Sequence, residues 1–190
     1  MKKLKPTIAA LLLLSMFIID SGMAFSSDAN TLRRLSISAA IFPRIVGVDL
    51  NLENKLDKDN NAKLIIIYTT NKSAAVKIKQ IIHKKVPHIS GHKVTIELLP
   101  VDRASAETIE SATGLFLAEP LEQSAFRRIN QNCINKSRVC FSPFPGDVEN
   151  GMLAGIYIGA QIRPFFNKNS LKKSNINVNP VLLKASRTHE

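Results

Sequence analysis

The residues with the most chemistry in them are two cysteines, Cys133 and Cys140, with six residues between them. In an oxidising compartment such a pair is most simply a disulfide closing a small loop. The chain-entropy estimate for a ring of about eight residues is roughly 2.5 kcal/mol. A metal centre would need further ligands. The four histidines (His83, His88, His92 and His189) do not stand at ligand spacing with the cysteines, and three of them fall in a polar loop region. A disulfide consumes both thiols, which removes a cysteine nucleophile. Paired acids occur at Asp147/Glu149 and Glu107/Glu110, without a third group to set their pKa values apart. There is no G-x-S-x-G, no H-E-x-x-H and no Gly-rich phosphate loop. The expectation is a protein that binds and does not catalyse, with neither metal nor cofactor.

The N-terminus says where it works. Lys2, Lys3 and Lys5 precede an apolar run from Ile8 to Ile19, broken only by Ser15, and Gly22-Met23-Ala24 follows with small residues. Residues 1–24 therefore read as a cleavable signal peptide, with an uncleaved anchor as the competing reading. The run is shorter than the roughly 20 residues of a spanning helix. Residues 25–190 are then one exported domain, working outside the cytoplasm. The formal charge is +11 over 190 residues and stays basic when the signal is removed. In an exported chain this charge fits an anionic lipid surface, an acidic polysaccharide, an acidic partner face or plain solubility, and nucleic acid is not expected.

The elements that must position these residues alternate in type. Asp28 or Asn30 can cap a leading helix through Leu32, Leu35 and Ile41, which Pro43 and Gly47 then break or kink. Leu64–Tyr68 is a β-branched run of the kind buried on both faces of a sheet. The pattern then predicts a helix over 71–86, a strand over 93–98, a short helix over 104–111 and a strand over 114–118. A helix beginning at Glu119-Pro120 and a strand over 138–141 follow. This is the pattern of a single α/β domain with a mostly parallel sheet flanked by helices. Toward the C-terminus the strands become mixed. Residues 152–162 form one or two strands, antiparallel to the rest in one arrangement, before a short helix over 167–174, a short strand over 175–178 and a terminal helix over 180–186.

The stretch from Cys133 onward is the most distinctive. After C-x6-C come F-S-P-F-P-G-D-V-E-N-G, G-A-Q-I-R-P-F-F-N and S-L-K-K-S-N-I-N-V-N-P-V-L-L-K-A-S. Pro145 and Gly146 build a stiff turn in which Asp147 can bond backbone N–H groups. This stretch resembles the YfiR/HmsC-like family of small periplasmic regulatory proteins. Those carry a Cys pair at this spacing, a strand with Phe and Asn near its end, a helix with a central Leu and an N/H-P-x-x-L terminal helix. Several members have a second disulfide, and their leading helix often bears Trp; this chain has neither.

The resemblance implies a repressor of a membrane-bound partner. The partner would be an inner-membrane protein with a periplasmic sensor domain, as in a diguanylate cyclase that controls cyclic-di-GMP and biofilm. On that reading the Cys133–Cys140 cross-link stabilises or senses redox state. The contact surface is sought at Phe144, Pro145, Gly146, Asp147, Gly151, Arg163 and Phe165, while Phe166, Leu171 and Leu182 read as core. Peripheral membrane contact and a homodimer are compatible with the same reading. The alternative is a periplasmic small-molecule-binding module using the crevice at the carboxyl ends of the strands; an envelope enzyme comes third. Whatever the function, Cys133→Ser should cost about 2–3 kcal/mol of stability. Equal melting of the oxidised and reduced protein would refute the cross-link's contribution.

Overall fold

The computed structural model describes residues 21–190, with side chains from residue 29 onward. Residues 1–20, and with them most of the expected signal peptide, lie outside the described residues. Leu35–Glu190 form one compact unit.

The sheet has eight strands in the order β2-β3-β1-β4-β5-β6-β7-β8. The strands are β1 (Ala62–Tyr68), β2 (His88–Ile89), β3 (His92–Pro100), β4 (Gly114–Leu117), β5 (Val139–Ser142), β6 (Ala154–Ile158), β7 (Ile162–Asn167) and β8 (Arg187–His189). From β3 through β1, β4 and β5 to β6 the pairing is parallel; β7 returns antiparallel to β6, and β8 runs parallel to β7. The expected α/β class and the mixed C-terminal strands are therefore both present. Sequence reading missed β8, a three-residue edge strand with no apolar alternation to announce it.

The helices are α1 (Ser21–Val46), α2 (Lys72–Lys85), α3 (Ala106–Glu110), α4 (Gln123–Asn135), α5 (Lys168–Ser174) and α6 (Pro180–Ala185). Strand alternation divides the core in two. Leu64 and Ile66 of β1, Phe116 of β4 and Phe141 of β5 point to one face, where α1 and α2 cover them. Ile65, Ile67, Leu115, Leu117 and Cys140 point to the other, under α3 and α4. Phe42 of α1 meets Phe116 and Phe141 with ring centroids 5.5 and 5.6 Å away. The helix comes so close to β4 that a Cβ at Gly114 would lie 2.6 Å from Val46 Cγ2. Glycine at the start of β4 is what admits α1.

Three local expectations are corrected. Pro43 does not break α1, which continues to Val46. Phe42, Ile45 and Val46 are at most 2% exposed, and burying three such side chains, at about 1.5–3 kcal/mol each, outweighs the roughly 3 kcal/mol cost of an interior proline. Nor does the helix start at Asp28 or Asn30, since both lie inside it. Residues 175–178 form no strand: Asn175 takes a left-handed cap (φ 53°) and the segment makes only an isolated bridge, Asp49 to Val178.

That bridge belongs to a buried clamp. Asp49 and Lys55, 4% and 6% exposed, form an ion pair, and Asp49 also accepts the Asn51 N–H at 3.0 Å. Burial pulls the Lys55 ammonium below its usual 10.5 although Asp49 favours the charged form. The Lys55 carbonyl accepts the Thr113 hydroxyl at 2.9 Å, which fastens this loop to the start of β4. Removing one partner strands the other charge in the interior. Asp49→Ala should therefore cost about 3–5 kcal/mol in urea unfolding, while Asp49→Leu with Lys55→Met should stay near the parent. A single-variant loss below about 1 kcal/mol would show that the pair is dispensable.

Candidate functional site

In an open parallel sheet the ligand crevice lies outside the carboxyl ends of the strands, where the chain order reverses. Here the reversal falls between β1 and β4: the chain leaves β1 toward β3 and comes back on the other side as β4. The residues after β1 are Thr69, Thr70 and Asn71, and Asn71 caps α2 by accepting the Ala74 N–H. Their three N–H groups converge on a single carboxylate oxygen, Glu119 Oε2, at 2.7, 3.0 and 2.9 Å. The Thr70 hydroxyl donates to Oε1 at 3.0 Å. Glu119 follows β4, so the acid from one strand end closes the N–H nest at the other. The expected helix start at Glu119-Pro120 is corrected accordingly: α4 begins at Gln123, because Glu119 turns back to the α2 terminus.

The open hollow lies beside this closed crevice. A cleft of ≈ 380 Å³ is lined by Leu121, Gln123, Phe126 and Arg127 from the start of α4, and by Asp147 and Asn150 from the loop after β5. Sequence reading placed Pro145, Gly146 and Asp147 on that loop, but did not see that α4 faces it. No local signal joins positions 121–127 to 147–150; only the parallel pairing of β4 with β5 does.

The loop is held from beneath. Asn167 Nδ2 donates to the Val148 carbonyl at 2.8 Å, and Ser170 Oγ to the Gly151 carbonyl at 2.6 Å. Gly151 has φ +107°, open to glycine alone at little cost, and a Cβ there would crowd Asn130 Nδ2 at 3.2 Å. The Asn130 Oδ1 above it is buried with no hydrogen-bond partner.

The charges in the cleft are exposed to different fields. Asp147 is partly buried and accepts the Ser142 hydroxyl. Burial raises its carboxyl above the usual 3.8, the Ser142 bond opposes that rise, and Glu149 adds to it. No cation pairs with it among the described residues. Arg127, across the cleft, is exposed and makes no hydrogen bond or ion pair among the described residues. Glu119 is the opposite case. Burial alone would raise its pKa, but the Asn71 and Thr69 N–H groups and both Thr70 donors hold it below the ordinary 4.5.

Other expected site residues fall elsewhere. Phe144 is half-buried and packs on both core clusters, a wedge between them. Phe165 is 5% exposed beneath Tyr157 and Arg187, which corrects its assignment to a partner face. Arg163 is exposed on β7, with no place in the cleft lining. Phe166 and Leu171 are core as expected, and Leu182 packs on it half-buried. Cys133 and Cys140 are joined, 0% and 1% exposed, inside the cluster under α4. No helix of the described residues is long and apolar enough to cross a membrane.

No family model and no curated protein sequence matches this chain. Solved structures match it in fold. One is a conserved domain protein from Vibrio cholerae, with TM-score 0.51, 11% identity, and 75% of this chain on 60% of that one. Another is a substrate-binding protein with adhesive properties from Clostridium difficile in its ligand-free, open form, with TM-score 0.48, 14% identity, and 74% on 57%. A third is an ABC domain from Streptococcus pneumoniae in complex with L-Trp, with TM-score 0.47, 14% identity, and 76% on 61%. The chain thus spans about three fifths of the length of each of these proteins. At such identities the likeness is one of α/β fold.

The Glu119 nest predicts a pH response. A carboxyl with a lowered folded pKa contributes stability above its unfolded value, near 4.5, and that contribution is lost as pH falls through the folded value. Glu119→Ala should cost about 1–2 kcal/mol at pH 7. The difference between parent and variant should shrink in melts below the ordinary glutamate range. A pH-independent difference would mean that the N–H nest does not recognise the charge.

Proposed function

We propose that this chain is a small-molecule-binding module, taking a compact polar ligand in the cleft between the start of α4 and the loop after β5. The observation that supports it is Asp147: a partly buried acid, raised in pKa by burial, facing a cleft whose other wall carries Arg127, with neither charge paired among the described residues. A folded protein gains nothing from that arrangement until an outside group completes it. A ligand with an ammonium or amidinium for Asp147 and an acidic or carbonyl group for Arg127 meets both charges. Gln123 and Asn150 add amide donors and acceptors, while Phe126 and Leu121 offer an apolar wall. An amino acid or a small amine-bearing acid has this chemistry. The domain works as an exported protein, as its disulfide and N-terminal segment suggest, and without catalysis.

A second reading keeps the repressor function implied by the YfiR/HmsC resemblance. Its support is the anchored loop, whose Pro145 and Glu149 are exposed on a backbone pinned by Asn167 and Ser170. A pull-down from cross-linked membranes that recovers a protein with a periplasmic sensor domain and a cyclase output would favour it over ligand binding alone.

The ligand reading is tested with Asp147→Asn. The raised folded pKa means that the ionised carboxylate disfavours the fold at neutral pH, a cost relieved only as pH falls toward 3.8. The variant should therefore melt at or above the parent temperature. It should lose the thermal shift of several degrees that a binding amino acid or amine gives the parent. In the parent, binding of a cationic group should weaken as pH drops and Asp147 takes up its proton. A variant that keeps the shift would take Asp147 out of the site.

A further inference from the structure

The hairpin of β6 and β7 outruns the sheet that carries it. β5 pairs with β6 only at Phe141↔Ala154 and Ser142↔Gly155. β6 and β7 stay paired beyond that point, at Ile156↔Pro164, Tyr157↔Arg163 and Ile158↔Ile162. By strand alternation this free ribbon has Ile156, Ile158, Ile162 and Pro164 on one side, with Tyr157 and Arg163 on the other. Ile156 still belongs to the core at 6% exposure, but Ile158 and Ile162 stand out at 39% and 45%. The core face thus continues outward as an aliphatic tip with nothing packed over it among the described residues.

Cations accompany the tip. The Arg187 guanidinium lies 4.0 Å from the Tyr157 ring centroid. Arg163 donates to Gln161 Oε1 at 3.2 and 2.7 Å. Neither arginine meets a carboxylate among the described residues. The sequence from Gly151 to His189 contains no acidic residue, against Arg163, Lys168, Lys172, Lys173, Lys184 and Arg187.

We propose that this ribbon docks on an anionic lipid surface, with Ile158 and Ile162 entering the boundary of the acyl chains and Arg163 and Arg187 on the lipid phosphates. Interfacial binding of this kind combines buried apolar area with attraction to anionic headgroups. Long arginine stems keep their guanidiniums at headgroup depth while the tip goes deeper, and a tyrosine is well placed between the two. A ribbon two strands wide offers far less than the about 800 Å² per side of a stable protein interface, whereas insertion of a tip needs no matching surface. The inference does not depend on the ligand cleft.

The test is sedimentation of the exported protein with vesicles of equal parts phosphatidylglycerol and phosphatidylcholine, against phosphatidylcholine alone. Binding should be confined to the anionic vesicles and weaken with salt. Ile158→Thr with Ile162→Thr, which keeps β-branching, should bind them about tenfold more weakly. The parent has no tryptophan, so Ala160→Trp at the exposed tip reports alone. Its emission should shift to the blue with anionic vesicles, while Lys79→Trp on the exposed side of α2 should not move. If the double variant fails to fold, this pair of spectra decides. No binding to anionic vesicles, equal binding by the double variant, or an unmoved tip tryptophan overturns the proposal. So does an acidic protein found seated on the ribbon in place of lipid.

Discussion

Everything at the working edge of this domain follows from the burial of β1, β4 and β5 on both faces. All four residues of β4 and all four of β5 are buried, and Leu64 through Ile67 of β1 have no exposed surface. A strand in that position has no room for a polar side chain that is not fully bonded. Chemistry is therefore displaced to the strand ends. Parallel pairing of β3, β1, β4 and β5 brings their carboxyl ends to one edge, where short connections feed the helices that cover the faces. The place of the candidate site is a consequence of the core.

At that edge two carboxylates stand after neighbouring strands in contrary surroundings. Glu119, after β4, receives three backbone N–H groups and a hydroxyl, and ionises readily. Asp147, after β5, has one serine hydroxyl for its side chain and a second acid nearby, and ionises reluctantly. The first is a finished interaction that joins the ends of β1 and β4 in the place where an open α/β sheet would otherwise receive an anion. The second is unfinished. Filling the switch point from within moves the available cleft one strand along, to the space between α4 and the loop Phe144–Gly151. The same logic explains why that loop is glycine-rich and bonded to Asn167 and Ser170: a wall that presents an unsatisfied acid keeps its shape only if its backbone is held elsewhere.

The sequence showed the layers and hid the closures. The run Leu64–Tyr68, the helix capped by Asn71 and the strand at Gly114 were legible because burial on two faces writes continuous apolar runs and helical spacing. So was α5, expected as a short helix over 167–174 and capped in the fold by Asn167. Glu119 was not legible. Its partners lie about fifty positions earlier, and glutamate before proline reads equally well as a helix start. Pro43 misled for the opposite reason, since a local penalty was outweighed by Phe42, Ile45 and Val46 meeting strands far along the chain. The acid of the cleft was singled out as part of a turn, while residues 121–127 were read only as part of a helix beginning at Glu119-Pro120. Pairing of α4 with the loop is a property of the sheet order, which no stretch of residues states.

The disulfide gains a more specific meaning from this geometry. Cys133 lies in the last turns of α4 and Cys140 in β5, with Cα atoms 6.1 Å apart. The helix supplies one wall of the cleft at its other end, and the strand leads directly into the opposite wall. The cross-link thus fixes the two elements whose separation sets the width of the cleft, and the Arg138 N–H bond to the Cys133 carbonyl at 2.9 Å tightens the same corner. A thiol reagent must reach sulfur atoms in residues at most 1% exposed, and exchange depends on access as well as on thiolate character. In the folded domain the bond is sheltered and acts as a strut. Redox chemistry would reach it during folding, before α4 has closed over β5, and a chain that folds without it would hold the same residues around a looser cleft.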